Sequence, residues 1–313
     1  MINFFLHLKN STKRNILNLY LSSTQLLLKG KHFISHKELV VQRMSYLYFL
    51  VGTASLLDAL YKPPFDTTNI IQWVYNQQNQ KGGFRCGPIM GLSQTDHHNN
   101  DYSNLASTYS ALCILKMCGD NLSRVNVVGI QNLLKELNIE GYKIRSMPYE
   151  SEDDVRFAYC GISIAKIINS MSILNTKSIS QEIALYQAYD GGFSWCKYGE
   201  SHAGITYCAL ASLNLMETLG SINQESAFDW LTMRFNDGWS GRVGKYPDSC
   251  YGFWNVASIY NLNKSCMIDD SATEEFIIAH QKPKGGFGKY SLNDIPPDIV
   301  HTFYSLSTLS LIK

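Results

Sequence analysis

Two hydrophobic patterns alternate along the chain. In "NLASTYSALCIL", "VRFAYCGISIAKI", "AGITYCALASLNLM", "CYGFWNVASIYNL" and "VHTFYSLSTLSLI", apolar and small residues continue around nearly every helical face, which predicts helices buried on all sides. In "SAFDWLTMRF" and "TEEFIIAHQ" the apolar residues keep to one side, which predicts helices of an outer layer. Each fully apolar stretch follows a glycine–aromatic turn. "QNQKGGFRC" recurs as "YQAYDGGFSW", "RFNDGWSGR" and "HQKPKGGFGK", with a weaker copy in "IEGYKIR". The aromatic after the glycine is read as Phe84, Tyr142, Phe193, Trp239 and Phe287. A period of roughly 50 residues is the span of a helical hairpin with long loops. Buried helices alternating with amphipathic ones imply two concentric layers. The expectation is an all-α fold, an α–α barrel (toroid) of about six helical-hairpin repeats. It forms a single domain over residues 1–313, with peripheral N-terminal helices over 1–40. An open helical solenoid is the alternative.

The repeats supply their own register. Aligning the buried helices on Tyr109, Tyr159, Tyr207, Phe253 and Tyr304 puts Asn104, Asp154, His202, Asp248 and Ile299 five positions earlier. Three positions earlier stand Ala106, Arg156, Gly204, Cys250 and His301. His202, Arg156, Asp248, Cys250 and His301 therefore gather near the N-terminal ends of buried helices. Polar groups in one shared slot of an otherwise apolar element argue for a site.

Composition changes this picture little. A chain of 313 residues with 45% hydrophobic and 17% charged residues can bury a large core. The net charge of +1 gives no strong field toward nucleic acid or an anionic membrane, so neither partner is expected. The eight cysteines are scattered without a CxxC pair, which suits free thiols in a reducing compartment. The longest apolar run, "MSYLYFLVGTASLL", is shorter than the roughly 18 residues of a membrane span. No signal peptide is read at the start, and a cytoplasmic protein without stable membrane insertion is expected.

Asp248, Cys250 and His301 offer an oxygen, a thiolate and an imidazole, the three protein ligands of a catalytic zinc with its fourth position open. The spacing alone leaves the bland reading standing, in which Asp248 caps a helix, Cys250 packs and His301 is a core histidine. The neighbours add weight: Arg242, Lys245 and Tyr251, in "GRVGKYPDSCY", and His202 supply cations and donors suited to a diphosphate. A competing metal candidate, Asp96, His97 and His98 in "TDHHNND", reads as surface loop.

The glycine–aromatic repeats with "ESHAGITYC", "GRVGKYPDSCYGFW" and "GGFGKYSLNDIPPDIVHTFY" together resemble the β subunit of protein prenyltransferases, over roughly residues 40–313. The resemblance implies a zinc enzyme. Asp248, Cys250 and His301 match the family's Zn2+ ligands, and with Lys245 and Tyr251 they make its catalytic set. His202, Arg242, Lys245 and Tyr251 match the pocket for the isoprenoid diphosphate. Arg156 matches the arginine near the C-terminus of the bound peptide. Ser45, Phe49, Tyr207 and Trp254 match the lipid pocket. The implied reaction joins the cysteine sulfur of a C-terminal CaaX motif to C1 of the isoprenoid. The implied partners are a prenyltransferase α subunit in a heterodimer and CaaX-ending proteins such as Rho/Rac-type small GTPases.

Two positions bear on the lipid. Ser45 stands where farnesyl enzymes carry a tryptophan and type I geranylgeranyl enzymes a threonine, so it leaves room for geranylgeranyl diphosphate. Lys289 stands where farnesyl enzymes carry a Mg2+-binding aspartate and type I enzymes a lysine, so Mg2+ is not expected to be required. Geranylgeranyl transfer is the expectation, with farnesyl transfer, a Rab-type enzyme and a non-catalytic toroid scaffold as alternatives. A protonating terpene cyclase would need a DxDD-type cluster, which neither "SEDD" nor "IDDS" fits. The stretch from Lys289 to His301 is slightly longer than the family pattern, and "HAGIT" lacks the glycine pair that usually follows the histidine.

Overall fold

The computed structural model describes residues 15–16, 42–62, 65–87, 103–148, 152–292 and 294–312. Eleven α-helices lie among them: α1 (Arg43–Leu56), α2 (Thr67–Tyr75), α3 (Leu105–Met117), α4 (Val127–Leu137), α5 (Val155–Ile167), α6 (Thr176–Ala184), α7 (Ala203–Leu215), α8 (Gln224–Thr232), α9 (Cys250–Asn261), α10 (Asp270–Ala279) and α11 (Ile299–Leu311). The two patterns behave as the sequence predicts. Nine of the thirteen residues of α7 are buried. In α4, Gly129, Ile130, Leu133, Leu134 and Leu137 are buried, a one-sided stripe at helical spacing. The all-α expectation holds except for a small hairpin, β1 (Asn138–Ile139) and β2 (Lys143–Ile144). No described helix is long and apolar enough to cross a membrane. Apart from residues 15 and 16, the segment 1–40 lies outside the described residues, as do Asp96, His97 and His98.

The glycine–aromatic turns share one backbone scheme. Gln78 bridges Phe84, Gln187 bridges Phe193, Phe235 bridges Trp239 and Gln281 bridges Phe287. The next buried helix then supplies a threonine hydroxyl to the aromatic's N–H: Thr108 to Phe84 (2.9 Å), Thr206 to Phe193 (3.0 Å) and Thr302 to Phe287 (3.0 Å). The rings of Phe84, Phe193 and Phe287 are fully buried, each worth about 1.5–3 kcal/mol over leaving it exposed. Gly191 shows why the paired glycines are needed. Its φ is +96°, and a Cβ there would lie 2.1 Å from the Ser226 carbonyl oxygen.

The same scheme corrects two points of the sequence register. In β1–β2, Asn138 pairs with Ile144 as Gln78 pairs with Phe84. The ring slot of that turn is therefore filled by Ile144, which is 1% exposed, and not by Tyr142. The second point concerns the last buried helix. The N–H groups of Asn104, His202, Asp248 and Asp298 each donate to the carbonyl of the preceding turn residue, Phe84, Phe193, Trp239 and Phe287. Asp298, and not Ile299, is thus the equivalent of Asp248. Asp298 caps α11 by accepting from the N–H groups of Val300 and His301 (both 2.9 Å).

Buried helices also end alike. Asp58, Gly119, Asn169, Glu217 and Asn263 have φ between +54° and +77°, and each stands two residues past a helix end. The N–H of the following residue then reaches back to the helix, as from Asp120 to Leu115 and from Thr218 to Leu213. This closes a Schellman-type end.

The chain divides into two compact units. One takes residues 154–159 and 176–312, and the other 42–153 and 160–175. In the first, α9 packs against both α7 and α11; in the second, α1 packs on α3.

Candidate metal centre

Asp248, Cys250 and His301 come together. One ligand atom from each lies within 4.8 Å of the others. Asp248 ends the turn before α9, and its Oδ1 accepts the Cys250 N–H (3.0 Å). It therefore holds the first turn of α9 through this oxygen, while its Oδ2 faces the Lys289 ammonium. Cys250 opens α9 and His301 lies in the first turn of α11. His301 Nε2 is 3.3 Å from Asp248 Oδ1, and its Nδ1 is 2.5 Å from Asp298 Oδ2. The Asp298 carboxylate thus fixes the ring so that Nε2 faces Asp248 and Cys250. A carboxylate behind a histidine is the usual support of a metal ligand.

Electrostatics at the centre suit a cation. Burial raises the Cys250 thiol well above its ordinary value, and the neighbouring Asp248 carboxylate adds to this. Burial would lower His301, but hydrogen bonds to Asp248 and Asp298 outweigh it and raise the group to about 9. Burial would raise Asp248, but hydrogen bonds from His301 and from Cys250 hold it below the usual carboxylate range. His301 therefore holds a positive charge beside the buried Asp248 carboxylate, while Cys250 stays a neutral thiol. An oxygen, a sulfur and a nitrogen donor at one point fit zinc.

A second group of polar side chains adjoins this centre. His202 caps α7, its Nδ1 accepting the Gly204 N–H (3.1 Å). The neutral ring must then carry its proton on Nε2, which faces the Tyr251 oxygen at 3.2 Å. Burial first, then the cations Arg242 and Arg156, lower the His202 pKa and keep the ring neutral. Tyr251 accepts from His202, so its own hydroxyl proton is free to point at a ligand. Gly241 makes room for this ring: a Cβ there would lie 2.1 Å from Tyr251 Cζ. Arg242 contacts Glu200 (3.0 Å), and Lys245 is exposed on the same turn. Lys289 Nζ stands 3.8 Å from Asp248 Oδ2, placing a cation beside the metal ligands. The Ser249 N–H and hydroxyl hold this strand of chain through the carbonyls of Lys289 (3.2 Å) and Gly288 (2.9 Å).

Arg156 is gripped by Asp154 through two contacts, 2.9 and 2.6 Å, and lies over the Trp195 ring at 4.4 Å. The register aromatics form a continuous row in this unit. Tyr159 meets Tyr207 (5.5 Å between centroids), Tyr207 meets Phe253 (5.3 Å) and Phe253 meets Tyr304 (5.2 Å). Trp254 packs on Tyr207 (5.2 Å) and Tyr304 (4.6 Å). All five rings are half-buried. Ser45 and Phe49 belong to the other unit, one turn apart on α1 and both half-buried. Sequence reasoning missed Asp298, Glu200 and Trp195. The signal for Asp298 was present, since "DIVH" places a carboxylate three residues before the histidine at a helix start.

Comparison with known proteins identifies the family of the fold. Residues 22–313 match the prenyltransferase alpha-alpha toroid domain. The geranylgeranyl transferase type-1 subunit beta of Arabidopsis thaliana is 30% identical over 87% of this chain and 79% of its own length. The protein farnesyltransferase subunit beta of the same plant is 29% identical over 71% of this chain and 44% of its own length. The Candida albicans protein geranylgeranyltransferase-I complexed with GGPP superposes with a TM-score of 0.80. That match covers 96% of this chain and 90% of the other, at 23% identity.

Proposed function

The chain belongs to the prenyltransferase alpha-alpha toroid family, and from that premise we propose that it is the catalytic β subunit of a type I geranylgeranyltransferase. It would transfer a geranylgeranyl group from geranylgeranyl diphosphate to the cysteine of a C-terminal CaaX motif, as on Rho/Rac-type small GTPases. It would work as a heterodimer with an α subunit. The observation that carries this reading is the convergence of Asp248, Cys250 and His301 beside a set of diphosphate-sized donors.

Asp248, Cys250 and His301 hold Zn2+, and Asp298 orients His301. Zinc, when bound, makes a substrate thiol acidic enough to be present as thiolate at neutral pH. The new bond joins the substrate sulfur to C1 of the isoprenoid, and the C1–O bond breaks with its electron pair leaving on the diphosphate. Arg242, Lys245 and Lys289 neutralise that growing charge, while His202 orients the Tyr251 hydroxyl toward it. Donors already held in place cost no reorganisation at the moment of reaction. Tyr207 and Trp254, whose rings pack at 5.2 Å, give the isoprenoid an apolar wall. Each CH2 removed from water there contributes about 0.8 kcal/mol. Arg156, backed by Asp154 and Trp195, binds near the peptide C-terminus.

Two observations support geranylgeranyl over farnesyl. Ser45 is a small, half-buried residue on α1, and Lys289 supplies an ammonium 3.8 Å from Asp248 Oδ2. The test offers both lipid diphosphates and a Leu-ending CaaX peptide to the purified heterodimer without Mg2+. Geranylgeranyl transfer is expected to dominate. Preferential farnesylation overturns the lipid assignment, and transfer that needs added Mg2+ overturns the role given to Lys289.

A further inference from the structure

Lys282 has no role in the site described so far, yet it is buried, and a lysine is rarely buried unless its ammonium is paired. It is 5% exposed, and its Nζ donates to the carbonyls of Tyr290 (2.7 Å) and Leu292 (2.5 Å). In the repeat scheme it occupies the slot of Asn79, Ala188 and Asn236. Each of these makes the same backbone bond, from its N–H to a glycine carbonyl across the turn, as Lys282 does to Gly286 (2.9 Å). Only at Lys282 does a charged side chain continue through the turn into the following loop.

That loop carries Lys289 at one end and Asp298 at the other. Packing does little to hold its residues 290–292. Tyr290, Ser291 and Leu292 border a cavity of about 780 Å3, and Leu292 is 61% exposed. The loop is instead wrapped on the Lys282 ammonium. Gly288 lies against the lysine stem, where a Cβ would come within 2.4 Å of Lys282 Cε. The segment fixed in this way is the one that accepts from Ser249 at Gly288 and Lys289, directly beside Asp248.

We infer that Lys282 is a positioning residue: its buried ammonium ties down the loop that follows Lys289 and so sets where the Lys289 ammonium stands beside Asp248. The inference rests on the reading of Lys289 as a diphosphate partner. The test is a double-mutant cycle on the heterodimer, with KM for geranylgeranyl diphosphate, kcat and Mg2+ response measured for wild type, Lys282→Met, Lys289→Ala and the double variant. Lys282→Met is expected to raise KM for the lipid diphosphate about 10- to 100-fold, the scale of loss when a charged group is misplaced by about 1 Å. It should also make the enzyme responsive to Mg2+ and add nothing further once Lys289 is alanine. Gly288→Ala, which keeps the ammonium but displaces the stem, should act in the same direction and serves if Lys282→Met does not fold. An unchanged KM in Lys282→Met, or a shift of equal size with and without Lys289, overturns the inference. An unchanged KM in Lys289→Ala overturns instead the reading of Lys289 on which it rests.

Discussion

Asp298 is not among the three candidate metal ligands, yet it holds one of them in place. Its Oδ1 caps α11 and its Oδ2 holds His301 Nδ1. Asp298→Asn keeps the cap oxygen and loses the charged partner of the ring. Zinc affinity is expected to fall about 10- to 100-fold with little loss of stability, measured by competition with a metal-binding dye. The pH behaviour follows from the same contacts. In the metal-free chain the His301 pKa is raised to about 9, from an ordinary value near 6.5. A raised histidine stabilises the fold fully below the unfolded value, and that stabilisation is lost as pH rises through the folded one. Thermal stability of the metal-free protein should therefore decline between about pH 6.5 and pH 9. Zinc affinity should rise over the same window, because His301 and Cys250 must give up protons to bind. Melting curves with and without zinc across this range check both signs. The three ligands were legible in the sequence because each sits at a helix start. Asp298 was not, because registering α11 on Tyr304 put Ile299 in the cap slot.

Element boundaries were set by hydrogen bonds that sequence periodicity does not display. The alternation of all-round and one-sided helices was readable, and so was the glycine–aromatic turn. The threonines that close three of the turns were hidden in runs of small residues, and the left-handed helix ends were hidden because Asp58, Asn169, Glu217 and Asn263 stand where glycine is usual. Ile144 in the ring slot of its turn was missed because the aromatic Tyr142 stood nearby. The threonines offer a direct check. Thr206 is fully buried and gives the Phe193 N–H its acceptor. Thr206→Val keeps the shape and orphans that N–H. It should lower stability by about 1–3 kcal/mol in chemical denaturation, the cost of a buried unsatisfied donor.

For the molecule as a whole, the proposed function requires an apolar lipid, a diphosphate and a thiol to be brought together. The sequence made the chemistry legible through residue types at helix starts, and the family through its combined motifs. The proposed lipid choice rests on two side chains, Ser45 and Lys289, and Ser45 is the one that bears on length. Ser45→Trp should shift preference from geranylgeranyl toward farnesyl diphosphate, read as the ratio of kcat/KM for the two lipids. One methylene in such a pocket is worth about 1–3 kcal/mol, or 10- to 200-fold, so an indole-sized change should move the ratio at least about 10-fold. The zinc centre itself is tested most directly by stripping zinc from the heterodimer and restoring it while following geranylgeranyl transfer to a CaaX peptide. Transfer should be lost on stripping and recovered with zinc in the wild type, and should not recover in Cys250→Ala. Full transfer by the stripped enzyme, or wild-type rates in Cys250→Ala, would show that Asp248, Cys250 and His301 do not form the catalytic metal site.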